Sequence, residues 1–313
     1  MPRLLEKIAT SSRLCASVLI RLGLIQQMDV NRARLQILAE LKSAATKPTL
    51  THPISQPCTA GQIDESPYRY WCSRMGLQPL YNRKVWEFCF ILQALVTRDM
   101  MRSGRRGLGF GVGKEPLASV MASEGCNIVA TDLEVETAKA AGWVATDEHA
   151  GMLEDLLYPN VIEEKAFRDR VSYQHCDMNN ISDELIDFDF CWSSCAFEHL
   201  GSIEKGLNFV EASLRTLKPG GLAVHTTEFN CSSNTDTVRE GGTVLFRRRD
   251  IEQIADRLRT KGHTIETSFY VGETEVDCHI DEPPYRHDRH LKLALGSFLT
   301  TSYGLIIRKA SLS

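Results

Sequence analysis

Gly109-Phe110-Gly111-Val112-Gly113 precedes Asp132 by nineteen residues, counted from the last glycine. Glycines in such a run let the backbone turn sharply and approach a ligand, because no side chain stands in the way. An acid at the tip of the next strand is placed to accept hydrogen bonds from ribose hydroxyls. Together they are the parts of a nucleoside-cofactor pocket at the carboxyl edge of a parallel sheet. Further along, Cys176-Asp177-Met178 offers an acceptor for a base amine. Ser193-Ser194-Cys195-Ala196-Phe197-Glu198-His199 puts a carboxylate and an imidazole after another apolar run. Histidine is the side chain best matched to proton transfer near neutral pH.

These residues need strands and helices to hold them. Strands are expected at 106–108, 127–132, 171–176, 188–192 and 222–226, with two last ones at 264–271 and 302–308. A helix at 115–124 carries Pro116 in its first turn and stops at Gly125, as start and stop preferences favour. Ile203, Leu207, Val210, Leu214 and Leu217 paint one face of another helix. Lys218-Pro219-Gly220-Gly221 ends it. A third helix is expected at 250–261, closed by Gly262. Strand–helix alternation of this kind predicts an α/β fold: a Rossmann-like, doubly wound, mostly parallel seven-stranded sheet over 102–313. Residues 1–101 read as a helical N-terminal extension. Within it, 46–66 is rich in Pro, Gly, Ser and Thr and reads as a linker, and 67–101 is helical and aromatic-rich. The stretch 14–25 is apolar but broken by Arg21; it is too short to span a membrane and reads as an amphipathic helix.

The chain has 313 residues, 43% hydrophobic and 24% charged, ordinary for a globular protein. Its net charge of −4 gives no support for a nucleic-acid partner. Arg247-Arg248-Arg249 is one short basic run and reads as a solvated strand end. Ten cysteines occur with no CxxC pair, which reads as reduced, buried thiols in a cytoplasmic protein. No metal-ligand spacing is evident, so no metal is assigned.

The chain resembles the class I S-adenosylmethionine-dependent methyltransferases over about 102–310. Gly109, Gly111 and Gly113 match the family's glycine loop, with Phe110 inside it, and Asp132 matches its ribose-binding acid. Asp177 and Met178 match its adenine-contacting segment, and Leu217 to Gly221 match the turn before its fifth strand. The resemblance implies S-adenosyl-L-methionine as cofactor, held by Gly109, Phe110, Gly111, Gly113, Asp132, Asp177, Met178 and Ser194. Trp143 reads as core rather than as an adenine neighbour. In one respect the chain departs from the family: an acid often found two residues before the first glycine is Gly107 here. Glu115 stands either as its substitute or as a helix N-terminal acid. A nicotinamide dehydrogenase is disfavoured, since its G-x-G-x-x-G would need a glycine where Lys114 stands.

A Glu-His pair like Glu198-His199 occurs in small-molecule and lipid-quinone O-methyltransferases of that superfamily, so the resemblance makes these two the catalytic candidates. Helix capping is the competing role. Glu228 and Asn230 are candidates for substrate hydroxyls, His225 is expected inside the sheet, and the acid- and histidine-rich stretch 275–290 reads mainly as a solvated loop. The expected activity is methyl transfer to a hydroxyl, less readily an amine, of a small-molecule or saccharide acceptor. The alternative is a module that binds the cofactor without catalysis and serves regulation or scaffolding.

Overall fold

A computed structural model describes residues 47–134, 149–286 and 289–311. The amphipathic helix expected at 14–25 and Trp143 lie outside them. Among the described residues eight strands form one sheet. Four neighbouring pairs are parallel. β3 (Arg106–Phe110) pairs with β4 (Asn127–Asp132) and with β6 (Phe188–Ser194), β4 with β5 (Val171–His175), and β6 with β7 (Leu217–Asn230). Beyond β7 the sheet turns antiparallel through β10 (Phe298–Arg308), whose neighbours are β1 (Gln56–Pro57) and β9 (Leu293–Leu295). The order is β1-β10-β7-β6-β3-β4-β5. β2 (Tyr81–Asn82) and β8 (Arg289–His290) make a separate parallel pair.

The central strand β6 is buried along its whole length, as a strand covered on both faces must be. Its one charge, Asp189, accepts from the Arg106 N–H at 2.8 Å, Arg105 Nη1 at 2.9 Å and Lys218 Nζ at 3.1 Å. Its residues enter two cores, with the register irregularity between Phe188 and Phe190 putting these two rings on opposite sides. Phe190 and Trp192 join Trp71, Trp86 and Ile128 on one side, while Phe188 and Cys191 join Phe110, Phe209 and Leu305 on the other. The first core runs without a break from Leu50 and Trp86 to Val120, so the helices preceding the glycine loop share the core of the sheet.

Three sequence expectations need correction. The stretch 46–66 is no linker over its described residues: Leu50, Ser55, Gln56, Cys58 and Gln62 are wholly buried. Its polar composition is satisfied internally, with Gln56 Nε2 donating to Gln62 Oε1 at 2.7 Å and Trp86 Nε1 donating to the same oxygen at 2.9 Å. The stretch 264–271 is not a regular strand. It makes only isolated bridges, Thr267 with Ser55 and Thr264 with Arg308, because β1 already occupies the edge beside β10. Lys218 to Gly221 does not sit between helix and strand but lies inside β7, which skips register there between Phe188 and Phe190 of its partner. Gly220, at φ 73°, supplies the left-handed residue this irregularity needs.

α1 (Ala60–Ile63), α2 (Ser66–Met75) and α3 (Arg83–Val96) precede the sheet's parallel half. Asn82 caps α3, its side chain accepting from the N–H groups of Lys84 at 2.9 Å and Val85 at 3.3 Å. α4 (Leu117–Ser123) follows the glycine loop, and α5 (Glu164–Arg168) leads into β5. α6 (Ile203–Ser213) follows β6, capped by the Ser202 hydroxyl. It ends before Leu214, earlier than its apolar stripe suggests. α7 (Arg248–Thr260) and α8 (Glu275–Cys278) complete the set.

Candidate active site

Parallel strands deliver their loops to one edge, and the ends of β3, β4, β5 and β6 all reach one cavity of about 460 Å³. Gly111, Gly113, Asp132, Asp177, Met178, Ser194 and His199 line it, together with Lys84, Phe88, Glu115, His149 and Cys195. Seven of the residues singled out from the sequence are therefore brought to one wall.

Gly111 and Gly113 hold left-handed φ values of 54° and 52°, which side chains other than glycine's seldom adopt. A Cβ on Gly111 would stand 3.0 Å from Ala196 Cβ and 3.2 Å from Met178 Sδ, narrowing the cavity. The Gly113 N–H donates to Asp132 Oδ2 at 3.0 Å, and the Leu133 N–H donates to Oδ1 at 2.8 Å. These bonds fix the Asp132 carboxylate at the tip of β4, although burial, the larger effect, moves its pKa up. Asp177 is exposed, and its Oδ1 accepts from the Asn179 N–H at 2.8 Å; it closes its own turn as well as lining the cavity.

Gly109 and Phe110 do not reach the cavity. A Cβ on Gly109 would lie 2.5 Å from Trp192 Cζ2 and 2.4 Å from Val112 Cγ1, so this glycine makes room for packing. Phe110 is fully buried, edge-on to Phe209 at 5.3 Å. The departure at Gly107 has the same cause. Its Cβ would sit 2.4 Å from the Phe190 ring, so no acid fits there.

Glu115 stands beside the cavity instead. It is 8% exposed, its Oε1 lies 2.9 Å from Lys84 Nζ, and its Oε2 is buried without a hydrogen-bond partner. Burial pushes its carboxyl up to about 7 against the pull of Lys84. Lys84 also donates to Ser194 Oγ at 3.0 Å. One helical turn on, Glu87 is wholly buried and accepts from Ser194 Oγ at 3.2 Å, Thr226 Oγ1 at 3.2 Å, Cys195 Sγ at 3.0 Å and Ser302 Oγ. Burial alone would raise its pKa; Lys84 and Arg83 outweigh that and hold it below the ordinary value. Arg83 in turn pairs with Glu228. Sequence reasoning missed Arg83, Lys84 and Glu87. The available signal was three charges at the start of an otherwise apolar helix, Arg83-Lys84-Val85-Trp86-Glu87-Phe88, where a buried charge must find partners.

Glu198 and His199 are placed apart. His199 lines the cavity and its Nδ1 lies 2.8 Å from the Gly242 carbonyl oxygen. Glu198 is wholly buried outside the lining and accepts from Thr227 Oγ1 at 3.0 Å. Its Oε1 is 4.0 Å from His199 Nε2, beyond hydrogen-bond reach. Burial raises its pKa. His225 is inside the sheet as expected, between Ser193 Oγ at 2.9 Å and Ser213 Oγ at 3.1 Å, and burial lowers its pKa to about 3. Asn230 is a loop brace, donating to the Asp236 carbonyl at 3.0 Å and accepting from the Ser232 N–H at 2.9 Å. In the 275–290 stretch, Asp277 accepts from the Ala60 N–H at 2.8 Å and Asp281 pairs with His290 at 2.6 Å; both acids are structural. The Arg247–Arg249 run is not a solvated strand end: Arg247 is buried against Asp250 at 2.8 Å, and Arg248 and Arg249 open α7. Among the described residues none of the nine cysteines is in a disulfide. Among the described residues no helix is long and apolar enough to cross a membrane.

Residues 108–225 match a family model described as a methyltransferase domain. No curated protein sequence matches the chain. Among solved structures, it is similar to phosphoethanolamine N-methyltransferase 2 of Haemonchus contortus in complex with S-adenosyl-L-methionine. That likeness has 23% identity and a TM-score of 0.34, and covers 53% of this chain and 36% of that one. A putative sarcosine dimethylglycine methyltransferase from Galdieria sulphuraria is similar at 16% identity and TM-score 0.42, over 72% of this chain and 85% of that one. An S-adenosylmethionine-dependent methyltransferase from Clostridium acetobutylicum is similar at 14% identity and TM-score 0.39, over 72% and 91%. The chain thus spans 36% of the length of the Haemonchus enzyme.

Proposed function

We propose that the chain, whose residues 108–225 match a methyltransferase domain, is a class I S-adenosylmethionine-dependent methyltransferase that takes S-adenosyl-L-methionine as methyl donor and methylates a hydroxyl oxygen, or less readily an amine nitrogen, of a small-molecule or saccharide acceptor. The observation that carries this reading is the cavity itself, where a left-handed glycine cradle, three carboxylates (Glu115, Asp132, Asp177) and two imidazoles (His149, His199) converge.

The donor, when bound, supplies a methyl group activated on a sulfonium; the chain's residues supply position and proton handling. Asp132 accepts from the ribose hydroxyls with the lone pairs its backbone bonds leave open. Asp177 and Met178 take the adenine end. Glu115 and Lys84 take the amino-acid arm: the bare Glu115 Oε2 accepts from the ammonium, and Lys84 Nζ faces the carboxylate. This pair replaces the acid that packing excludes at 107. Methyl transfer is an in-line displacement, so holding the two reactants in line provides much of the rate. His199, on the cavity wall, removes the acceptor's proton as general base. Glu198 lies too far from it for a hydrogen bond and serves the surrounding charge network.

Calorimetric binding of S-adenosylmethionine and S-adenosylhomocysteine, beside Asp132→Ala, tests the donor half of this reading. Tight binding that the variant loses supports it; no binding to the wild type overturns it. Release of S-adenosylhomocysteine with pools of hydroxylated and amine acceptors tests the acceptor half. Robust methylation of tRNA instead would overturn it.

A further inference from the structure

Behind Cys195 the interior holds more negative charge than it neutralises. Among the described residues Glu87, Glu115, Glu198 and Glu228 stand against Arg83 and Lys84, with His199 Nε2 4.0 Å from Glu198 Oε1. Besides Glu115, which lines the cavity, two of these carboxylates are half-satisfied in the same way. Glu198 accepts from Thr227 Oγ1 through Oε2 and leaves Oε1 bare. Glu228 is held by Arg83 through Oε1 and leaves Oε2 bare. Glu198 is 0% and Glu228 6% exposed. One ligand atom from each of Cys195, Glu198 and Glu228 lies within 4.8 Å of the other two.

A bare buried carboxylate oxygen calls for a cation or a proton to answer it. We propose that Cys195, Glu198 and Glu228 form a binding site for one divalent transition-metal ion of the zinc class. A thiolate with two carboxylate oxygens suits a borderline ion such as Zn²⁺ or Co²⁺ rather than Mg²⁺ or Ca²⁺, which take oxygen alone. Arg83 and Thr227 act as the outer partners that orient ligating carboxylates in metal sites. One divalent ion answers the two bare oxygens of Glu198 and Glu228, and binding releases the Cys195 thiol proton to solvent. Cys195 holds a left-handed φ of 46°, a conformation rare for a side chain that is not glycine, Asn or Asp. It also lines the cavity, so a fourth coordination position opens there. On the methyl-transfer reading, that position takes an acceptor oxygen and lowers its pKa; the site itself does not depend on that reading.

The test uses the full chain, stripped with a chelator, dialysed, and titrated with Co²⁺ and then Zn²⁺. The expected result is one Co²⁺ bound per chain, with a thiolate-to-cobalt charge-transfer band that Zn²⁺ abolishes. Cys195→Ser removes that band. The nearly isosteric Glu198→Gln and Glu228→Gln each weaken Co²⁺ binding by about tenfold or more, with circular dichroism confirming that they fold. Folded wild type that takes up neither ion overturns the site and leaves a proton shared between the two carboxyls as the answer to the charge. A charge-transfer band that survives Cys195→Ser overturns it equally. S-adenosylhomocysteine binding on the same sample keeps the two questions apart, since donor binding without metal sinks only the metal site.

Discussion

Lys84 Nζ and Glu115 Oε1 lie 2.9 Å apart on the wall of one cavity, although 31 residues separate them in the chain. One comes from the helix before the sheet and the other from the end of the glycine turn. Their opposite charges, with one Glu115 oxygen left bare, match the zwitterionic arm of an amino acid.

Neutralising this pair is expected to weaken S-adenosylhomocysteine binding by roughly 10–100-fold for Lys84→Met or Glu115→Gln, the size of one lost charge-assisted contact. Binding of 5′-methylthioadenosine, which lacks the amino-acid arm, should hardly change. Calorimetry with both ligands decides the matter. Equal losses for the two would mean that the pair supports the fold and does not hold the arm.

The pH dependence follows from Glu115. Its pKa is raised to about 7 from an ordinary 4.5. The stability this group contributes is therefore fully present below about 4.5 and lost as pH rises through about 7. Donor binding runs the other way, because the ionised carboxylate is the form that accepts from an ammonium. Affinity for S-adenosylhomocysteine should rise through about pH 7 and fall again once the ligand's own amine deprotonates, near about 8 for an α-amino group. Glu115→Gln should flatten the rising limb; a wild-type affinity constant from pH 6 to about 8 would refute the assignment.

His199→Ala is expected to lower kcat by about 10²–10⁴, the usual span for a general base, with little change in donor KM. Steady-state kinetics with any accepted hydroxyl substrate reads this directly. Full activity in the variant would remove His199 as the base.

Gly107→Ala should cost about 1–3 kcal/mol in urea denaturation, as overpacking does, because the new methyl would meet the Phe190 ring at 2.4 Å. Gly61→Ala, with nothing within 4 Å of the added carbon, should stay within about 0.5 kcal/mol of wild type. Similar midpoints for the two would show that the core beside Phe190 yields more readily than its packing suggests.

Local sequence determined the parallel half of the sheet. Asn127–Asp132 was legible to the residue, because a run of β-branched and small apolar residues ending in an acid has few other conformations at this length. Gly111, Gly113 and Asp132 were placed by local pattern and Asp177 and His199 by the resemblance; all five line the one cavity. Tertiary structure decided what depends on neighbours distant in sequence. It alone shows that Gly109 makes room for Trp192 and that the polar stretch around Gln56 closes the sheet edge instead of linking domains. It alone sets Arg83, Lys84 and Glu87 among carboxylates and hydroxyls from β6, β7 and β10. Charge compensation inside a protein is a property of distances in space, and spacing along the chain carries little information about them.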